Sequence, residues 1–283
     1  MNPRRLAPLT AGVLAALWGS CPAQESPTPA TPAPAAAPTA GASGWHPDDR
    51  LILSGDGATL SGTNGGGGGS VTYLHEPSPD TLIGAAVEYQ HLYTADWAFG
   101  SLSGSYSHAL TATTRWNVHG EIHEGEGRNA GESFNYGIEA IGAGASIPGG
   151  FALDLEERQI DVATDHGSLP KAALSWAAGP RWLATVAYAH SFGGNLNTEY
   201  TLARVDYAGG FLNLLGGGST GHVNPVVISI DGLLEGQSRH LNEAFFGVTK
   251  PFHRFDLTLL ADEIDLAGSK HFVGTLSGTL HLN

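Results

Sequence analysis

The sequence has 283 residues, of which 40 are glycine and only 14% are charged. It is poor in the residues that build long helices, and its glycines follow no period of three, so a coiled coil and collagen are both excluded. Thirteen Lys and Arg residues against 27 Asp and Glu residues give a formal net charge of −14. A nucleic acid is therefore not an expected partner, because its phosphates require a basic surface.

The first segment, residues 1–23, has the features of a secretory signal peptide. Arg4 and Arg5 make a basic start, and the apolar stretch that follows is too short to span a membrane as a helix. Small residues at its end predict cleavage after Ala23. The one cysteine of the chain, Cys21, lies in this segment. Lipidation of Cys21 is the alternative to cleavage after Ala23.

The second segment, residues 24–50, is rich in Pro, Ala and Thr and begins QESPTPATPAPAAAPT. Proline at every second or third position prevents both a helix and a sheet ladder. We predict an extended linker, which would lie in the periplasm.

From residue 51 onward, apolar and polar residues alternate. In HFVGTLSGTLHLN, residues 271–283, every second residue is Phe, Gly or Leu, and the residues between them are mostly His, Thr and Ser. The same period of two recurs in 97–110, 113–125, 168–178 and 254–262. This period is that of a β-strand with one apolar and one polar face. Beyond the leader we find no helical periodicity.

The connections between these strands predict how they are joined. Tight turns alternate with longer polar loops, which is typical of an up-and-down barrel. The loops are expected at 127–132, 164–167, 193–197, 221–238 and 267–270.

The strand count depends on the start of the pattern. Counting from Leu82 gives about twelve strands of roughly 10–13 residues, a length that suits a tilted bilayer crossing. An extra hairpin over 57–75, with Gly65–Gly69 as its loop, gives about fourteen. We predict an all-β fold, an antiparallel up-and-down transmembrane β-barrel of about 12–14 strands over residues 51–283. Both chain ends would then lie on the periplasmic side.

Aromatic residues near the strand ends suit the interfacial girdles of such a barrel. Trp97, Phe134, Trp182 and Phe255 are examples. We therefore expect these side chains to face lipid.

Three stretches carry a resemblance to known barrels: 88–110 (EYQHLYTADWAFGSLSGSYSHAL), 205–221 (VDYAGGFLNLLGGGSTG) and 241–252 (LNEAFFGVTKPF). They resemble the outer-membrane β-barrel family YaiO and are similar to the C-terminal barrels of exopolysaccharide-secretion proteins. The resemblance implies a barrel fold without a catalytic motif, and an exopolysaccharide-export partner. Asn283 departs from the terminal aromatic residue that is common in outer-membrane barrels.

The polar face of the strands would line the lumen, and its charged and histidine residues are the candidate site. They are Glu88, Arg115, His119, Glu121, His123, Glu139, Asp154, Glu156, Arg158, Lys171, Arg204, Asp206, Arg254, Asp256 and Asp262. Their mixed signs predict cross-strand ion pairs that partly fill the barrel, and their excess of carboxylates favours cations. A narrow polar pore and a sealed structural lumen both satisfy this pattern.

A metal site is not predicted. His119, Glu121 and His123 project from one strand face, but the two histidines stand about 13 Å apart at about 3.3 Å per residue. They cannot share an ion without ligands from neighbouring strands. No cofactor is predicted either.

The pattern does not favour an enzyme. Ser107 adjoins His108 and His190 adjoins Ser191, but adjacent strand residues point to opposite faces, and no G-x-S-x-G motif occurs. We predict a porin-like channel of the Gram-negative outer membrane, passive or export-associated, for small polar solutes or saccharide. A non-conducting barrel whose loops bind a partner and an outer-membrane hydrolase are the alternatives. The expected partners are membrane lipid, lipopolysaccharide and the barrel-insertion machinery.

Overall fold

The computed structural model describes residues 48–60, 63–92, 95–111, 113–129, 132–223, 239–266 and 268–282. The predicted signal peptide and almost all of the predicted linker lie outside these ranges. Cleavage after Ala23 and lipidation of Cys21 therefore stay predictions. Within the described ranges, no helix has the length and apolar character needed to cross a membrane.

The described chain is built of β-strands, and the first begins slightly ahead of the predicted boundary at residue 51. The strands are β1 (Asp48–Leu60), β2 (Thr63–Ser78), β3 (Thr81–Leu92), β4 (Ala95–Ala109), β5 (Arg115–Asn129), β6 (Glu132–Ile147), β7 (Phe151–Val162), β8 (Asp165–Ser168), β9 (Lys171–Ala178), β10 (Trp182–His190), β11 (Glu199–Ala208), β12 (Asn213–Val223), β13 (Arg239–Pro251), β14 (Phe255–Leu266) and β15 (Ser269–His281).

The strands form one closed antiparallel sheet. Neighbours in sequence pair with each other, and β1 pairs with β15, so the sheet has no free edge. Both β8 and β9 pair with β7 in one continuous register, and they are a single strand interrupted at Leu169 and Pro170. Pro170 has no N–H to give to the ladder. The result is a closed barrel of 14 strands, which confirms the predicted fold class at the larger strand count.

The glycine run that was expected to be a loop is part of a strand. Gly67, Gly68 and Gly69 lie in β2 and pair with both β1 and β3. A Cβ at Gly69 would come within 2.9 Å of the Ser54 backbone oxygen, and one at Gly67 within 2.5 Å of the Asp56 oxygen. Glycine is used here because the neighbouring backbones approach so closely. The predicted hairpin loop is therefore wrong.

The two rims of the barrel differ less than predicted. We call the rim that holds Asp48 and Leu282 the terminal rim, and the opposite one the distal rim. The terminal rim has tight turns, such as the one in which Gly149 and Gly150 adopt φ values of 95° and 81°. These values lie in the left-handed region that favours glycine.

At the distal rim, the loops predicted at 127–132, 164–167 and 267–270 are shorter than predicted, because strands extend into each range. The strand residues within these ranges pair in the ladder, which satisfies their backbone groups. Residues 193–197 do form a connection, between β10 and β11. The loop predicted over 221–238 lies outside the described residues from 224 onward.

The outer face of the barrel is apolar near the terminal rim. Val87 and Ile141 are 63% and 70% exposed there. Aromatic side chains, including those of Trp176 and Trp182, also point outward near this rim. Such a band, flanked by aromatic residues, is typical of a barrel wall that faces lipid.

The polarity of both faces inverts along the strands, as β7 shows. From the terminal rim, its outward side chains are Phe151, Leu153, Leu155, Glu157, Gln159 and Asp161. Its inward side chains in the same direction are Asp154, Glu156, Arg158, Ile160 and Val162. The outer wall is thus apolar over its terminal half and polar over its distal half. The lumen shows the opposite arrangement.

Candidate functional site

The lumen holds all but two of the charged and histidine residues that sequence analysis assigned to it. The side chains that the structure places inside the barrel are Glu88, Arg115, His119, Glu121, His123, Asp154, Glu156, Arg158, Lys171, Arg204, Asp206, Asp256 and Asp262. They come from strands around much of the circumference, and most are buried.

The expectations for Glu139 and Arg254 are wrong. Glu139 points outward from β6, as do its cross-strand partners Ile122 and Gln159. Because β6 carries small or apolar residues on both faces, polarity does not reveal which of them is the inner one. Arg254 is exposed in the tight turn that precedes Phe255, so it lies at the terminal rim and not within the lumen.

Five side chains from β5, β7 and β9 form what we call the charged network. Its centre is Glu156, whose Oε1 lies 3.1 Å from Nη2 of Arg158 and 3.2 Å from Nζ of Lys171. Its Oε2 lies 3.5 Å from Nε2 of His119. The Arg158 guanidinium also reaches Glu121, at 3.1 Å. Charges this deeply buried are costly unless they are paired, and here they are.

Glycines on β6 make space for this network. A Cβ at Gly142 would overlap the imidazole ring of His119, and one at Gly144 would lie 2.5 Å from Oδ1 of Asn117 and 2.7 Å from Oδ2 of Asp154. Because these glycines have no side chain, residues from β5 and β7 meet across β6. The small residues of β6 are thus a requirement of the site next to them.

The histidines of β5 act separately. Nε2 of His123 lies 3.4 Å from Oε1 of Glu121, whereas His119 lies against Glu156. Among the residues that the structure describes, no group of three or more His, Cys, Asp or Glu side chains is placed to hold a metal ion. The arrangement provides ion pairs instead.

A second buried ion pair lies on β11. Nε of Arg204 donates to both oxygens of Asp206, at 2.9 and 3.1 Å. The two residues are two apart on one strand and share its inward face. A paired guanidinium and carboxylate of this kind fix each other's orientation.

Carboxylates on the other side of the lumen are bound by neutral donors. Nε2 of Gln90 donates to Oδ1 of Asp56 at 3.1 Å and to Oε1 of Glu88 at 3.2 Å. The Ser219 hydroxyl donates to Oε2 of Glu243 at 2.5 Å. Asp56 and Glu243 were not among the lumen residues expected from the sequence pattern. Asp56 was missed because it precedes the glycine run that was taken for a loop.

The two serine–histidine neighbours do not form catalytic pairs. Ser107 faces the lumen and His108 the outside, as their cross-strand partners do. The Ser191 hydroxyl accepts the Thr198 backbone N–H at 2.7 Å, whereas the His190 ring packs edge-on against Phe192, with the two centroids 4.9 Å apart. Neither serine has its neighbouring histidine in position to act as a base.

At the distal end of the lumen, apolar side chains form a ring that sequence analysis did not predict. We call it the collar, and its members are Ala58, Trp97, Phe99, Tyr136, Ile138, Ile160, Val162, Leu169, Ala189, Leu196, Tyr200, Val223, Leu241, Ile264 and Val273, with Phe134 and Leu202 packed against them. None of the buried members is more than 8% exposed. The prediction that Trp97 and Phe134 face lipid is therefore wrong.

Aromatic rings dominate one side of the collar. Phe99 and Tyr136 stack with their centroids 4.9 Å apart and an interplanar angle of 18°. Between their strands, a Cβ at Gly125 would meet the Phe99 backbone, and one at Gly127 would overlap the Phe134 ring. Because these two glycines have no side chain, aromatic side chains of β4 and β6 can meet across the inner face of β5.

No protein-family model matches the sequence, and no curated protein matches it significantly. Among solved structures, the chain is similar to the CymD monoaromatic hydrocarbon channel, with a TM-score of 0.55 and 8% identity over 83% of this chain and 89% of that chain. It is also similar to the TodX deltaS2S3 mutant monoaromatic hydrocarbon channel, with a TM-score of 0.55 and 8% identity over 94% and 98% of the two chains. For the outer membrane protein Omp33 of Acinetobacter baumannii the TM-score is 0.50, with 9% identity over 83% and 99%.

Identities this low show the fold alone, and the resemblance to YaiO stays a prediction. The chain has the fold of porin-like outer-membrane β-barrels.

Proposed function

We propose that this protein is an outer-membrane channel through which small solutes pass without covalent chemistry. The observation that carries the proposal is the closed barrel itself, apolar outside over its terminal half and charged inside at the same height. A closed sheet satisfies its backbone groups in lipid, and a polar lumen offers solutes a path through it. The fold shared with the CymD and TodX channels supports the proposal.

The orientation follows from the rims. The terminal rim carries both described chain ends and the tight turns, as periplasmic rims of such barrels do. The predicted linker, which ends where β1 begins at Asp48, then lies in the periplasm, and the distal rim faces outward. Lipid, lipopolysaccharide and the insertion machinery are the partners that this placement implies, with an exopolysaccharide-export partner as a further candidate.

The charges of the lumen favour cations over anions. Arg158 and Arg204 are engaged by carboxylates, whereas Asp56, Glu88 and Glu243 are hydrogen-bonded by amide and hydroxyl groups. The basic charge is thus largely neutralised within ion pairs, and a permeating ion meets an excess of carboxylate. Rings of carboxylates are the usual basis of cation preference in pores.

The collar is the barrier to ion flow. Its side chains are apolar and nearly inaccessible to solvent, and an apolar constriction opposes the passage of hydrated ions. We therefore expect low conductance from the native chain and a higher, cation-selective conductance once the collar is widened.

The test compares single-channel currents in planar bilayers. Phe99→Ala/Tyr136→Ala removes the stacked pair of the collar, and Tyr106→Ala/Trp116→Ala removes an outward pair whose ring centroids lie 5.7 Å apart. The electrophoretic migration of boiled and unboiled samples is compared first, because a folded barrel migrates compactly until it is heated. We expect discrete, enlarged current steps from the collar variant and native behaviour from the control.

If the folded collar variant passed no current, the result would contradict the proposed channel function. It would favour the alternative of a non-conducting barrel that binds a partner, which the burial of the collar also supports.

A further inference from the structure

Two polar groups of the collar have no hydrogen-bond partner within the part of the chain that the structure describes. They are the indole Nε1 of Trp97 and the hydroxyl of Tyr200, in side chains that are 4% and 6% exposed. A buried Trp N–H or Tyr O–H usually finds a partner, and a missing one calls for an explanation. Both groups are donors and both lie in the same apolar cluster, so an acceptor brought by a ligand would satisfy them.

The surroundings of these donors have the character of a small-molecule site. Trp97 and Phe99 lie on the same inward face of β4, and Phe99 stacks on Tyr136. Sites for small organic molecules are mostly apolar and aromatic, with a few polar groups that set the orientation of the ligand. The collar has this composition, whereas the charged network below it does not.

We propose that the collar binds a small solute with an apolar, ring-containing body that carries a hydrogen-bond acceptor oxygen. The ring packs against the Phe99–Tyr136 stack, and the oxygen accepts from Trp97 and Tyr200. Ions and fully hydroxylated solutes are disfavoured, because the collar offers too few partners to replace their water. This inference rests on the proposed function and names the solute class that the channel selects.

The test uses two probes that differ in one group. Acetophenone has an aromatic ring and a carbonyl acceptor, and ethylbenzene has a methylene group in place of that carbonyl. The full chain is labelled with ¹⁵N-tryptophan and folded into lipid nanodiscs. The Trp97 indole resonance is assigned by its absence in Trp97→Phe, and each probe is titrated while this resonance is followed.

We expect acetophenone to shift the Trp97 resonance saturably and to bind more tightly than ethylbenzene. Tyr200→Phe removes one hydrogen bond and should weaken acetophenone binding about five- to tenfold while leaving ethylbenzene binding unchanged. Tyr207→Phe is the matched control, because Tyr207 lies on the outer face beside Trp182. It should change neither affinity.

Equal affinities of native protein and Tyr200→Phe for acetophenone would overturn the inference, as would the absence of saturable binding. A larger shift with arabinose than with acetophenone would overturn it in favour of a saccharide. A conducting barrel that binds no aromatic probe contradicts the inference alone. If the collar variant Phe99→Ala/Tyr136→Ala passes no current while the native chain still binds acetophenone, the result contradicts the channel alone.

Discussion

The substitution Gly142→Ala tests whether the charged network depends on the bare backbone of β6. The added Cβ would overlap the His119 ring and lie 2.9 Å from the Leu155 backbone oxygen. Relief requires the ring to leave Glu156 and the strand to shift, and overpacking of this kind costs about 1–3 kcal/mol. Alanine also loses less conformational entropy than glycine on folding, which stabilises the variant by about 0.5–1 kcal/mol. We expect a net destabilisation of about 1–2 kcal/mol.

Gly137→Ala is the control on the same strand. Gly137 faces outward, and the nearest atom to an added Cβ is the Asp161 backbone oxygen at 3.5 Å, an ordinary contact. This variant should gain about 0.5–1 kcal/mol. The two variants would then differ by about 2 kcal/mol, roughly thirtyfold in the unfolding equilibrium.

The assay for both variants is urea unfolding of the barrel folded into lipid vesicles, followed by tryptophan fluorescence. Equal shifts of the two midpoints would refute the reasoning, because the only relevant difference between the sites is the space that each glycine leaves.

Two further predictions concern the outer face and the buried ion pair. Leu276 is 54% exposed on the outer face, and Leu276→Arg should cost about 2–4 kcal/mol because this face meets lipid. His222→Arg, near the distal rim, should change stability by less than about 0.5 kcal/mol; equal tolerance of both in urea unfolding would point to a water-soluble barrel. Arg204→Met leaves the Asp206 carboxylate buried without its guanidinium and should cost about 3–5 kcal/mol, most of which Arg204→Met/Asp206→Leu recovers. A cost below about 1 kcal/mol for the single variant would show that the pair is effectively solvated.

The fold was predictable wherever the two faces of a strand differ in chemistry. In β15, Phe272 and Leu276 alternate with Thr275 and Ser277, and the structure places the first pair outward and the second inward. The run Gly65–Gly69 failed because glycine has no side chain to mark a face and is uncommon within strands. The strand was recognisable only from its neighbours, whose backbones approach too closely for a Cβ.

The charged part of the site was predictable for the same reason, and the collar was not. Asp154, Glu156 and Arg158 share the inward face of β7, but Ile160 continues the same face with the opposite polarity. The rule that apolar side chains point outward holds only where the outer wall meets lipid. Beyond that height the outer wall meets water. The residues still alternate with a period of two, but there the polar side chains point outward and the apolar ones point inward. Glu139 was assigned to the wrong face at this transition.

The meeting of β1 and β15 at the terminal rim has a consequence for how the barrel could be re-engineered. The Leu282 backbone N–H donates to the Asp49 oxygen at 2.8 Å, so in a variant shortened to begin at Asp48 a short peptide would join Leu282 to Asp48. The chain could then be opened between Pro148 and Gly149, in the tight turn between β6 and β7, which leaves the Gly150 oxygen free to accept the Ala177 backbone N–H at 2.8 Å. Such a circular permutant would keep every strand neighbour, but β7 would be synthesised first and β6 last.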